Sequence, residues 1–129
     1  MKTFTDLHAW QSGMKLTKEV YSLTKTFPKS EQYGLVSQLR RASTSILANL
    51  AEGFSRRSSA DKAHKYTISR GECSECTALI LIAVEMGYLN KEESEDALSY
   101  GEETGKLLTG LIRAHIERGP TPYAQPPIS

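Results

Sequence analysis

No stretch of the sequence approaches the roughly eighteen uninterrupted apolar residues of a membrane-spanning helix, so no membrane partner is expected. The opening MKTFTDLHAW lacks an apolar h-region, so no secretory signal is expected either. Cysteine is scarce: Cys73 and Cys76 are too few and too close for a disulfide framework. A reduced, cytoplasmic protein is the resulting expectation. Gly-rich phosphate loops of the GxxxxGK and GxGxxG types are absent, as are a Ser nucleophile elbow and HExxH. Net charge is only +1, so the chain as a whole is no polycation. What is present is ordinary for a globular domain: 129 residues, 24% charged and 39% hydrophobic. That length can bury one core but not two.

The small net charge conceals a strong asymmetry. Residues 1–30 carry five Lys against two acids, and residues 31–71 seven Lys or Arg against three. Residues 72–105 reverse this, with one Lys against nine acids, before 106–129 return to three cations against one acid. One reading is a basic face for phosphates and an acidic face turned away from it. Others are helices of opposite sign packed side by side, or head-to-tail contact between copies.

Four helical segments follow from periodicity, broken most clearly at Pro28, Gly87 and Gly119. The first runs from Asp6, a candidate cap, to Phe27, with Leu7, Trp10, Met14 and Tyr21 on its apolar arc. The second runs from Ser30 to about Arg56. Its seam is Leu35, Leu39, Ala42, Ile46, Asn49 and Gly53. A second stripe, Val36, Ser43, Leu47, Leu50 and Phe54, suits an oligomer surface or a wider bundle core. The third starts at Ser58 or Ser59; its half TALILIAV, residues 77–84, is apolar all round and needs cover on every side. In so small a protein that suggests a partner chain. The fourth opens at Asn90 with Glu93 three residues on, in the manner of a capping box. Short loops between four helices give an all-α, antiparallel up-down-up-down four-helix bundle over residues 1–119. The ending PTPYAQPPIS, with four Pro, predicts a disordered Pro-rich C-terminal tail over 120–129.

Chemistry-bearing residues are sparse. Cys73 and Cys76 form a CxxC without a second ligand pair, so two packed thiols are expected rather than a metal site. His8, His64 and His115 lie on three different segments, and His115 falls on an apolar face. Gln38, Asn49, Glu52 and Glu75 are read, with Arg41, as a buried structural polar network rather than acid–base catalysts. Neither a cofactor nor a metal is expected. The candidate nucleic-acid-binding residues are Arg40, Arg41, Arg56, Arg57, Lys62, Lys65 and Arg70. Arg56 and Arg57 stand beside Ser55, Ser58 and Ser59 where one helix ends and the next begins, a suitable place for a phosphate. Repeated around an oligomer, such contacts would add up.

The run PKSEQYGLVSQLRRASTSILANLAEG, residues 28–53, closely resembles the signature of the bacterial four-helix bundle protein family, also called the large-subunit rRNA intervening-sequence protein family. LHAWQ at 7–11, GECSE at 71–75 and EMGYL at 85–89 extend the resemblance to roughly residues 4–118, although Cys73 and Cys76 depart from the usual pattern. The resemblance implies an antiparallel four-helix bundle, a ring-forming homopentamer and no enzymatic activity. It places family motif positions at Gln38, Arg40, Arg41, Asn49, Glu52, Gly53 and Glu75. It also implies a nucleic-acid role, because some members are encoded within intervening sequences of rRNA genes. More distantly, the chain is similar to the accessory variability determinant of diversity-generating retroelements, a basic pentameric bundle that partners a reverse transcriptase and its RNA.

The expected function is therefore a non-catalytic oligomeric scaffold that binds nucleic acid, RNA in the first instance, through a basic surface. The alternative is a protein-interaction subunit, for example the partner of a reverse transcriptase.

Overall fold

The computed structural model describes residues 2–116, so the expected tail lies outside the described residues. The main helices are α1 (His8–Thr24), α2 (Leu35–Ser55), α3 (Ser59–Glu85) and α4 (Lys91–Ile116). Each packs on the next in chain order, and α4 closes the square against α1. Successive cross-helix contacts step in opposite directions, Gly13 with Leu47 then Thr17 with Ser43, Arg41 with Glu72 then Gly53 with Tyr66, and Arg70 with Thr109 then Cys73 with Gly101, so adjacent helices are antiparallel. The all-α up-down-up-down bundle is the one the periodicity predicts.

Two of the helix starts lie later than expected, for one reason: short 3₁₀ turns take the polar residues first. Asp6 does not cap α1. Its carboxylate closes a capping box with Thr3 around the turn Phe4–Asp6, and α1 begins at His8. Ser30 does not cap α2 either, because it lies within the turn Lys29–Glu31. Glu31 does that work instead, its Oε1 accepting from the Leu35 N–H at 3.0 Å. The third and fourth starts are as expected. Ser58 accepts from the Asp61 N–H, and Asn90 and Glu93 exchange side-chain-to-backbone hydrogen bonds at 2.7 and 2.9 Å. Gly87 ends the α3 turn at φ +81°, a backbone region open to glycine.

The core draws on all four helices: Leu16 and Val20, Leu39, Ile46 and Leu50, Tyr66, Cys76 and Ile80, Ala97 and Leu108 are essentially inaccessible. The second stripe of α2 belongs to this core, since Val36, Ser43, Leu47 and Leu50 are buried and Phe54 is half-buried. It is not an oligomer surface. The surplus lies on α3, where Leu81, Ile82 and Met86 are exposed.

A buried side-chain hydrogen bond crosses each of the four helix interfaces. Ser12 and Thr104 share one at 2.7 Å between α1 and α4, and Thr17 donates to the Ser43 carbonyl at 3.3 Å between α1 and α2. Ser69 donates to the Ile46 carbonyl at 2.7 Å, and the Cys73 thiol to the Gly101 carbonyl at 3.3 Å. Burial makes a missing partner costly, so these bonds favour one axial register over a slipped one.

Glu31 also ties the end of the bundle that carries the α1–α2 and α3–α4 connections. Its other carboxylate oxygen accepts from the Tyr88 hydroxyl at 2.9 Å. The Leu35 N–H and then the Tyr88 hydroxyl hold the carboxyl below its ordinary value of 4.5. A carboxyl depressed in the fold stabilises above its unfolded value, and that contribution disappears as pH falls through the folded value. Glu31→Gln should therefore lower Tm at pH 7, and by progressively less as pH falls below 4.5. Thermal melts of both proteins across that range check this; a gap that does not narrow with falling pH would contradict it.

Candidate nucleic-acid interface

The antiparallel register sorts the charge along the bundle axis. The basic first half of α3 lies beside the last half of α4, which carries Lys106 and Arg113. The acidic first half of α4, with Glu92, Glu93, Glu95 and Asp96, lies beside the second half of α3 at the other end. Between α3 and α4, like therefore packs beside like.

The seven candidate cations do not form one track. Arg40 and Arg41 lie about 24 Å from Arg56 along α2, at 1.5 Å per residue. Arg40 turns toward α1: its guanidinium lies 4.6 Å from the centre of the Tyr21 ring, and its Nε donates to Thr24 Oγ1 at 3.0 Å. Arg41 turns toward α3, where it pairs with Glu72 at 3.2 Å and with Glu75. Both are engaged with neighbouring helices, so they are less available to a phosphate than an unpaired cation.

Arg56, Arg57, Lys62 and Lys65 gather at the opposite end, and Arg70 stands midway along α3, about 18 Å from the Ser58 cap at 1.5 Å per residue. Lys62 donates to the Phe54 carbonyl at 2.6 Å, satisfying the last turn of α2, with its ammonium 5.4 Å from the Phe54 ring centre. Lys65 pairs with Glu52 at 2.8 Å, and this partner, with a smaller contribution from Arg56, holds the Glu52 carboxyl below its ordinary range. Arg70 is half-buried and reaches Thr109 Oγ1 at 3.4 Å. Arg56 and Arg57 are exposed in the α2–α3 corner, and among the described residues neither guanidinium makes a hydrogen bond or ion pair. They are the cations of this corner most available to an external anion.

The expected polar network is four separate features. Gln38 is exposed, Asn49 donates to the Ser45 carbonyl at 2.9 Å, Glu52 holds Lys65, and Glu75 holds Arg41. Their positions on α2 and, for Glu75, on α3 point them at different neighbours, so they form no shared buried cluster. Gly53 has a different role. A Cβ there would lie 2.7 Å from Cε1 of the buried Tyr66, so the close approach of α2 to α3 requires glycine.

Cys73 and Cys76 are buried in the α3 core face, and among the described residues no group of three or more ligating side chains could hold a metal. Burial raises Cys73 to about 11, and burial with the neighbouring thiol and carboxyls raises Cys76 to about 12. Since the thiolate is the nucleophile, both thiols should resist a disulfide reagent at pH 8 and react fully after denaturation. Rapid labelling of the native protein would contradict this burial. His8 and His64 are exposed, while His115 packs its ring 5.7 Å from that of Tyr66.

Sequence reasoning did not assign Lys106 and Arg113 to the basic end. The renewed positive charge after residue 105 was the available signal, and only antiparallel pairing brings it beside Arg70. Glu72 was likewise absent from the expected polar set, although it stands one helical turn from Glu75.

The fold and its surface define a short-looped helical bundle whose chemistry lies in charged outer faces. Among the described residues no helix is long and apolar enough to cross a membrane. The chain belongs to the 23S rRNA-intervening sequence protein family, whose model matches residues 5–110. A crystal structure of a protein of unknown function from the S23 ribosomal protein family of Bacteroides thetaiotaomicron has the same fold, with a TM-score of 0.75 at 24% identity. The match covers 81% of this chain and 98% of that one. None of the curated proteins matches the chain.

Proposed function

We propose that this protein is a non-catalytic, cytoplasmic scaffold that binds RNA through the α2–α3 corner and acts as a homopentamer. The observation that carries the reading is the pair of guanidiniums at Arg56 and Arg57 without a hydrogen bond or ion pair among the described residues, backed by Lys62 and Lys65 at the same end and by Arg70 farther along α3. Exposed arginines cost nothing in broken ion pairs when they take a phosphate, and their fork geometry suits phosphate oxygens. The family's description, which names an intervening sequence of 23S rRNA, supports RNA as the anion. Shape and charge would lead the recognition, because among the described residues no stacking platform of exposed aromatics accompanies these cations.

The exposed face of α3 supports the oligomer. Ala78, Leu81, Ile82 and Met86 recur three and four residues apart, so they share one side of the helix outside the core. Such a contiguous apolar face suits a second copy of the chain. The count of five follows from the family resemblance.

Size-exclusion chromatography with light scattering, read at 260 and 280 nm, tests both parts. The expected result is an oligomer carrying nucleic acid that 1 M salt removes. A monomer would overturn the assembly, and an oligomer free of nucleic acid at low salt would move the reading to a protein partner.

A further inference from the structure

A furrow runs between the outer faces of α3 and α4. Its lower part encloses about 520 Å³ and is lined by Arg70 and Ser74 from α3 and by Glu102, Gly105, Lys106, Thr109, Gly110 and Arg113 from α4. It continues upward past Cys73, Thr77 and Leu98. The furrow is open because its floor lacks side chains: a Cβ at Gly105 or Gly110 would meet nothing within 4 Å. Its lining carries three cations and one carboxylate. Lys106, Thr109 and Arg113 recur at three- and four-residue steps, so they share one side of α4. Lys106 and Arg113 are about 10.5 Å apart along the axis, so they can contact separate phosphates. Arg70 stands opposite them, steadied by Thr109 at 3.4 Å.

We propose that this furrow is a groove for the phosphate backbone of a nucleic-acid strand, with Arg70, Lys106 and Arg113 taking phosphates and Thr109 and Ser74 supplying hydroxyl donors. The proposal rests on the RNA-binding reading and extends the basic corner around α3 onto α4 through Arg70. Glu102 is the built-in competitor. It pairs with Lys106 at 3.3 Å across one turn of helix, with both side chains more than two-thirds exposed, so an entering phosphate can displace it at little cost.

The test is the binding of a fluorescein-labelled 20-nucleotide oligouridylate to the full chain, measured by anisotropy from 50 to 300 mM salt. Lys106→Glu with Arg113→Glu should weaken binding about tenfold or more and flatten the salt slope by about 1.4, the share of two phosphates on a single strand. Glu102→Gln should tighten binding about two- to fivefold by releasing Lys106. Gly105→Leu fills the furrow without changing charge and should weaken binding while leaving the helical circular dichroism intact. If the wild type binds and all three variants match it in affinity and slope, the groove is overturned and the corner reading stands. If the wild type does not bind at 50 mM salt, the RNA-binding reading fails together with the groove.

Discussion

Tyr66→Ala should destabilise the bundle by about 3–5 kcal/mol, the range for removing a large buried aromatic ring and leaving a cavity. Tyr66 is 1% exposed and is the largest fully buried side chain. Its ring fills the space beside Gly53 and meets His115 of α4, so one side chain joins α2, α3 and α4. The complementary change, Gly53→Ala, adds a methyl where the ring already stands. Helix propensity favours alanine by about 1 kcal/mol, but overpacking costs about 1–3 kcal/mol. Overpacking should win because the obstructing atoms belong to a ring enclosed on all sides. Denaturant unfolding of the three proteins checks this, with the Tyr66→Ala midpoint lowest. A Gly53→Ala protein as stable as the wild type would show that α2 and α3 can separate without cost.

The second large effect concerns binding. Arg56→Glu with Arg57→Glu should weaken RNA affinity by at least tenfold at low salt and remove about 1.4 from the salt slope, since each single-strand phosphate contact contributes about 0.7. Stability should change little, because neither guanidinium makes a hydrogen bond or ion pair among the described residues and Arg56 adds only a minor attraction to Glu52. Arg41→Glu should do the opposite. It breaks the pairs with Glu72 and Glu75 and places three carboxylates together, so it costs stability and leaves the salt slope unchanged. The contrast separates cations that hold helices from cations that face outward. Equal effects of both variants on binding would remove that distinction.

Much of the fold was legible because helix periodicity and capping are local. Ser58, Asn90 with Glu93, and Gly87 act where their neighbours in sequence predict. Asp6 and Ser30 misled because a 3₁₀ turn uses the same polar residues as an α-helical cap, and only three-dimensional closure decides between them. The second stripe of α2 was ambiguous because an apolar residue does not say whether its cover comes from the same chain. The site was less legible still. Arg40, Arg41, Arg56 and Arg57 are chemically alike in sequence, and what separates them is Tyr21, Glu72 and Glu75, supplied by other helices. Lys106 joins Arg70 only through the antiparallel pairing of α3 with α4.

The most direct test of an RNA-binding bundle is the salt dependence of the wild-type protein's affinity for a single-stranded RNA of uniform sequence. Charge-led binding predicts measurable affinity at 50 mM salt and a linear fall of log K with log salt, with a slope of about −1.4 or steeper for two or more phosphates. No detectable binding at 50 mM salt, or an affinity that salt leaves unchanged, would contradict it.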